Sequence, residues 1–174
     1  MSSKQKKTLV VAVDIGIDYS TYGFSFRHEY QKHPTNIYFP SAFSCGSLSS
    51  SMQPTCVLCN PAGQFHSFGY EAEDKYTELS KVKEHYNWYF FQKFNNMLPD
   101  KEVNMGFELT DEKGLKMPAL KVFSMVISYW KELTLHHLDM QGTGVRVDEI
   151  HWVLSVPATW TSSANEFLRQ GAKE

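Results

Sequence analysis

Three places in the sequence carry residue types and spacings that could do chemistry. The first is Asp14-Ile15-Gly16-Ile17-Asp18-Tyr19-Ser20, where an apolar run meets a carboxylate and then a glycine. A phosphate loop between two strands aims backbone N–H groups at anionic oxygens and needs a small residue for close approach, a need Gly16 can serve. Taken alone, the same residues better suit a strand that ends at Asp14 and a plain turn at Gly16. The second place is Cys56-x-x-Cys59, a spacing used by zinc and redox pairs. The second pair a zinc site wants is missing, and His66 alone does not complete one. In a strand this spacing puts the thiols on opposite faces, so the expectation is two inert thiols and no metal. The third is His136-His137 near a helix end, where capping and compensation of the helix dipole account for it better than catalysis. No Gly-x-Ser-x-Gly elbow, Cys/His couple or carboxylate cluster suggests another hydrolase, and no catalytic residue is assigned.

The elements that must position these groups follow from periodicity. Leu9 to Ile15 is a β-branched apolar run and reads as a buried strand, while Thr21 to Phe26 alternates and reads as its antiparallel partner across a tight loop. The Ser/Gly-rich residues 46–53 read as a loop. Thr55 to Asn60 and Gln64 to Phe68 read as two strands joined by the turn Asn60-Pro61-Ala62-Gly63. Steps of three and four predict two helices. One runs from Leu79 to Met97 through Val82, Tyr86, Tyr89, Phe90 and Phe94. The other starts at Pro118, runs through Leu120, Phe123, Val126, Ile127, Trp130, Leu133, Thr134, His137 and Leu138, and is capped by Gly142. A hairpin is expected around Asp111-Glu112-Lys113-Gly114. Ile150 to Val156 is a near-continuous apolar run, the pattern of a central strand covered on both faces. Ser162 or Ser163 then caps a last helix. The order predicts an α/β fold with a mixed sheet and flanking helices.

Composition limits the function classes. The 174 residues are 42% hydrophobic and 14% aromatic, enough for one core, and the formal net charge of -2 gives no electrostatic case for nucleic acid or an anionic membrane. Lys4, Lys6 and Lys7 sit in a polar segment, 1–7, read as a solvated basic tail before a partial domain at 8–174. No stretch approaches the ~20 apolar residues of a membrane span. The run Leu9 to Val13 is too short for a signal peptide and meets Asp14 at once. Three cysteines, an odd number, suit a reducing compartment, and the cytosol is expected.

Four segments together carry a resemblance. Asp14 to Ser20 resembles the first phosphate loop of the actin and 70-kDa heat-shock superfamily. Pro54-Thr55-Cys56-Val57-Leu58 followed by Phe65-His66-Ser67-Phe68-Gly69-Tyr70-Glu71-Ala72 is similar to the divergent 12A/12B branch. Trp88-Tyr89-Phe90 and Trp152-Val153-Leu154-Ser155-Val156-Pro157-Ala158-Thr159-Trp160 match the same branch, in the same order. The resemblance implies an incomplete ribonuclease-H-like half-lobe of a nucleotide-binding domain, its first lobe, with ATP and Mg²⁺ as the family's ligands. Asp14 would face the hydrated Mg²⁺, and Gly16, Ile17, Asp18 and Tyr19 would form the loop, with main-chain donors from the last three. The family's second phosphate loop and adenosine motif have no counterpart here, so weak nucleotide binding and no turnover by this chain alone are expected. Ile17 and Asp18 stand where relatives carry hydroxyls, and Asp18 should repel phosphate. Glu73 occupies the position of a basic residue; two like charges ~4 Å apart cost up to ~4 kcal/mol near a surface. Lys75 would face away from that position on a helix. Asn165 replaces an arginine that chaperone relatives carry eight residues past the proline matched by Pro157. The rival expectation is an inactive interaction module, binding protein partners through exposed aromatics around Trp88, Tyr89, Phe90, Phe91 and Phe94.

Overall fold

The computed structural model describes residues 7–40, 43–45, 48–98, 106–156 and 162–173. Strand β1 (Leu9–Ile15) turns through residues 16–18 into β2 (Tyr19–Phe26), paired antiparallel from Leu9 opposite Phe26 to Ile15 opposite Ser20. A single helical turn, α1 (Arg27–Tyr30), and a short hairpin, β3 (Phe43–Cys45) with β4 (Leu48–Ser50), lead to β5 (Gln53–Pro54), which pairs with the start of β2. One residue, Thr55, separates β5 from β6 (Cys56–Cys59). That strand folds back on β7 (Phe65–Phe68), and α2 (Gly69–Lys81) follows directly. Strand β8 (Tyr89–Gln92) returns to the other edge of β6. A hairpin of β9 (Glu108–Thr110) and β10 (Lys116–Pro118) precedes the long helix α3 (Ala119–Met140). Strand β11 (Ile150–Leu154) then lies parallel to β1, and α4 (Ser162–Gly171) closes the order.

The described residues therefore hold a mixed sheet in the order β11-β1-β2-β5 and an antiparallel one in the order β7-β6-β8. This is the α/β class with flanking helices expected for an actin-like half-lobe. Helix α3 is the spine beneath both sheets. Its buried residues Val122, Phe123, Val126, Trp130, Thr134 and Leu138 repeat at helical spacing and share one core with Leu9, Val11, Val13 and Ile15 of β1. Trp130 is wholly buried, with its ring edge-on to Tyr22 of β2 and Phe68 of β7 at 6.1 and 5.5 Å between centroids. Truncating such an anchor costs about 3–5 kcal/mol. Helix α2 covers the far face of the second sheet, where Ala72 and Leu79 meet Cys56, Leu58 and Phe90, and Tyr76 stacks on Phe90 at 4.3 Å.

Several expectations are corrected. The helix expected from Leu79 to Met97 is not one helix. Helix α2 ends at Lys81, Lys83 takes a left-handed φ of 61°, and Tyr89–Gln92 is a strand. Strand β8 lies between two apolar layers, with Phe90 in the cluster against α2 and Phe91 in the main core. A strand covered on both faces reads as a continuous apolar run, and its residues fill helical spacing by coincidence. The same burial takes Phe90, Phe91 and Phe94 out of the expected aromatic partner surface, while Trp88 and Tyr89 stay partly exposed. Only the end of α2 falls within the expected helix, because its buried stripe is thin, Gly69, Ala72 and Leu79. The segment 46–53 holds β4 and begins β5, and Pro118 ends β10 rather than entering α3. Gly142 caps α3 as expected: at φ +64° its N–H donates to the Asp139 carbonyl, and Thr143 N–H reaches back to Leu138.

Strand β11 lies at the edge of the described sheet, not its centre, and its exposure alternates. Val153, Val10 and Ala12 share a face left open among the described residues. Lys7 is no free tail residue, because its Nζ donates to the Asp148 carbonyl. The rest of that tail, and Pro157 to Trp160, lie outside the described residues. Among the described residues no helix is long and apolar enough to cross a membrane.

The β9–β10 hairpin is pinned by Asp111, whose side chain is fully buried. It accepts from the N–H groups of Lys113, Leu115 and Phe90 and pairs with Lys113 Nζ at 2.7 Å. Removing one partner of a buried pair strands the other, so Asp111→Ala should lower the unfolding free energy by about 3 kcal/mol in urea denaturation. A loss below ~1 kcal/mol would contradict this anchoring.

Candidate functional site

The β1–β2 turn is built by what surrounds it rather than by its own side chains. A Cβ on Gly16 would be driven into the Tyr19 carbonyl oxygen, so the turn closes this tightly only with glycine. From the far end of β8 a short 3₁₀ turn, Phe94–Met97, carries Asn95 beneath the loop. Asn95 is 3% exposed, and its Nδ2 donates to the carbonyls of both Ile15 and Gly16, the latter at 3.0 Å. On the other side, Thr55 N–H donates to the Asp18 carbonyl at 2.9 Å, and the Thr55 carbonyl accepts from Lys93 N–H at 3.0 Å. Thr55 Oγ1 and Ser20 Oγ are 2.7 Å apart in a buried hydrogen bond.

These bonds fix the direction of the peptide planes. In a trans peptide the C=O and N–H lie on opposite edges. Holding the Gly16 carbonyl inward turns the Ile17 N–H away from Asn95, and holding the Asp18 carbonyl turns the Tyr19 N–H away from β5. Among the described residues no group accepts from the N–H of Ile17 or Asp18. The turn thus closes tightly on glycine and offers donors with no acceptor among the described residues, which is a fit for an anion.

The charges around the loop differ from expectation. Asp18 does not stand as an uncompensated anion: Lys93 Nζ lies 2.7 Å from its Oδ1, and the hydrogen bond and charge of Asp18 raise the Lys93 pKa. Asp14 is exposed, and Ser155 Oγ donates to its Oδ1, tying the end of β11 to the loop. Ile17 and Tyr19 are exposed, 44% and 52%. Glu73 lies half-buried on α2, where burial and then Asp74 raise its pKa; it also bears electrostatically on Cys56, one residue from Thr55. Lys75 turns to Glu78 at 3.3 Å. Asn165 lies on α4, on a different element from the loop. A cavity of about 310 Å³ beside Lys93 is lined by Phe90, Gln92, Asn96, Met97, Asp111 and Glu112.

The remaining candidates are structural. Cys56 and Cys59 are buried on opposite faces of β6, one in each cluster, and burial pushes both thiols up to about 12. Among the described residues no group of three His, Cys, Asp or Glu side chains could hold a metal. His137 does more than end a helix: its Nδ1 meets the Tyr22 hydroxyl at 2.6 Å, and burial, then His136, lowers its pKa. Sequence reasoning missed Asn95, Lys93 and Thr55. No pattern marks them, because each acts only after β6 and β8 have paired.

Two outcomes follow. Asn95→Ala leaves the two loop carbonyls without their donor and should cost about 2 kcal/mol of stability by urea denaturation; a change under ~0.5 kcal/mol would show that the clamp is idle. Cys56 and Cys59 should react with a disulfide reagent at pH 8 only as fast as the chain unfolds, and prompt reaction in native buffer would contradict their burial.

No family profile matches the chain. The human heat shock 70 kDa protein 12A is 35% identical over 176 residues, covering 99% of this chain and 25% of the relative. The human protein 12B is 35% identical over 169 residues, 95% of this chain and 24% of the relative. The chain thus spans about a quarter of the length of the curated relatives it matches. Among solved structures, MreB5 of Spiroplasma citri bound to ADP overlaps 98% of this chain and 36% of its own, at 11% identity and a TM-score of 0.47. This chain is a sequence relative of the heat shock 70 kDa protein 12A/12B branch, aligned along nearly its whole length.

Proposed function

We propose that this chain supplies one wall of a nucleotide site, the wall that carries the first phosphate loop of a 12A/12B-type ATP-binding protein. The observation behind this is the loop itself: Asn95 holds the Gly16 carbonyl inward and so turns the Ile17 N–H outward, and no described group accepts from the N–H of Ile17 or Asp18. Helix and sheet amides ordinarily find partners inside the fold, and a rigid turn that leaves donors open is suited to an anion. Gly16 permits close approach, and Tyr19 completes the loop. Asp14, oriented by Ser155, is a hard oxygen ligand of the kind that meets Mg²⁺ through water. Bound Mg-ATP would supply the phosphoanhydride; the residues here would orient its phosphates and hold the metal's water shell. A wall of this kind encloses nothing by itself, and nucleotide needs an opposing surface to exclude water and hold the base. On this reading the chain binds ATP weakly and does not turn it over alone.

A second reading, an interaction module without nucleotide, is favoured by the open apolar face of β1 and β11, where Val10 and Val153 are 40% and 41% exposed. Calorimetric titration of Mg-ATP separates the two. The 174-residue chain should show affinity no tighter than the millimolar order, and a chain extended to the full length of its 12A-type relatives should bind on the order of micromolar. Micromolar binding by the short chain would overturn the need for a second wall, and no binding by the extended chain would leave the interaction module.

A further inference from the structure

We infer that the outward face of α3 is a docking surface for a second copy of this chain, met antiparallel across a two-fold axis. The stripe that makes the contact runs Pro118, Lys121, Met125, Ser128, Glu132 and Leu135, in alternating steps of three and four. That alternation is the spacing of a helix–helix seam, and it lies opposite the buried stripe that carries Val122, Val126 and Trp130. Pro118, Lys121, Ser128 and Glu132 are exposed, and Met125 and Leu135 are only partly buried. Helix α4 borders the stripe on one side, where Ser124 Oγ donates to the Gly171 carbonyl at 3.0 Å. Strand β7 borders it on the other, where Phe65 meets Tyr129 at 5.7 Å between ring centroids. Between β7 and the helix lies a cavity of about 350 Å³ whose lining includes Phe65, Met125, Ser128 and Tyr129, with Lys121 and Glu132.

The order of charges along the stripe selects the occupant. Lys121 and Glu132 stand ~16 Å apart along the helix at 1.5 Å per residue. Neither has an ion-pair partner among the described residues. One helix cannot bring them together, but an antiparallel copy of itself does. With the two-fold axis between residues 126 and 127, Lys121 faces Glu132 of the second copy, and Glu132 faces Lys121 of the second copy. The same operation sets Met125 against Ser128 and Pro118 against Leu135. Cation meets anion and apolar meets apolar, each twice, which is the self-complementarity an isologous contact requires. Ser128 is small, and the flexible thioether of the facing Met125 can fill the cavity beside Tyr129. A parallel copy would set lysine against lysine and glutamate against glutamate, and like charges oppose that arrangement.

The size of the contact sets its strength. Pro118 to Leu135 spans ~26 Å of helix, and a pair of helices that long buries area at the small end of specific interfaces. The ion pairs are exposed, so they choose the orientation more than they add affinity. A concentration-dependent dimer follows, with a dissociation constant on the order of tens of micromolar. The stripe shares no residue with the β1–β2 loop or with the open face of β1 and β11. Self-association therefore stands or falls separately from nucleotide binding.

The test is sedimentation velocity of the 174-residue chain at low ionic strength, where surface charge is least screened. Between about 5 and 500 µM the wild type should pass from monomer toward dimer. Lys121→Glu and Glu132→Lys should each weaken the dimer about tenfold, because each turns both ion pairs into like-charge pairs. An equimolar mixture of the two variants should recover the affinity, since every facing pair is then opposite in sign. The double variant Lys121→Glu/Glu132→Lys should recover it as well. Urea midpoints should stay near that of the wild type, because both positions are exposed. Should either reversal fail to fold, Ser128→Arg decides: loss of the dimer supports the seam, and a dimer left intact overturns it. A wild type that stays monomeric at every concentration overturns the proposal. So does a dimer that survives both single reversals, which would put the contact on another surface, such as the open face of β1 and β11. Loss in both single variants without recovery in their mixture also overturns it.

Discussion

The carboxamide of Asn95 joins the two sheets at the place where the candidate chemistry sits. Its two N–H donors take the Ile15 and Gly16 carbonyls, so a side chain from the second sheet's exit decides the peptide orientations of a turn in the first. Thr55 completes the joint from the chain crossing between the sheets, accepting from Lys93 and donating to Asp18. Remove these bonds and the turn becomes an ordinary three-residue connection whose carbonyls can face water. With them, a short glycine turn is stiff and its amides are exposed in a fixed direction.

That joint depends on packing well away from it. Asn95 is carried by the turn that begins at Phe94, a wholly buried ring set edge-on to Phe123 of α3 at 5.2 Å, and Phe123 in turn meets Phe167 of α4. Helix α3 also reaches the first sheet through Trp130 and the His137–Tyr22 hydrogen bond, and reaches β5 through Tyr129, whose hydroxyl accepts from Gln53. The helix thus sets the distance between the sheets, and that distance sets the loop. Electrostatics come last in this hierarchy: the Asp18–Lys93 pair is exposed, and it sits on a loop already shaped by the core.

How much of this was legible in the sequence depends on how local each signal is. Strand β1, its antiparallel partner, the β6–β7 turn, α3 and its glycine cap were all readable, because alternation, helical spacing and turn chemistry act over a few residues. The resemblance carried by Asp14 to Ser20 and by the segment from Pro54 to Ala72 pointed to the loop. Strand β8 was misread as helix because its aromatics face two apolar layers, which erases the alternation that identifies a strand. The edge position of β11 was illegible for the complementary reason: an apolar run does not say which neighbour covers it. The roles of Lys93 and Asn95 are non-local, and Asn95 is 79 residues from the Gly16 it holds. The counter-ion of Asp18 was illegible on the same ground, since Lys93 arrives from another sheet.

The central claim is that the fold leaves the loop amides open. Hydrogen exchange of the backbone amides, resolved by NMR in the free chain, measures it directly. Ile17 and Asp18 N–H should exchange within a factor of about ten of an unstructured peptide, while paired amides of β1 and β2 are slowed by several orders of magnitude. Slow exchange at Ile17 and Asp18, matching the strands on either side, would mean that the fold consumes these donors, and the account would be contradicted.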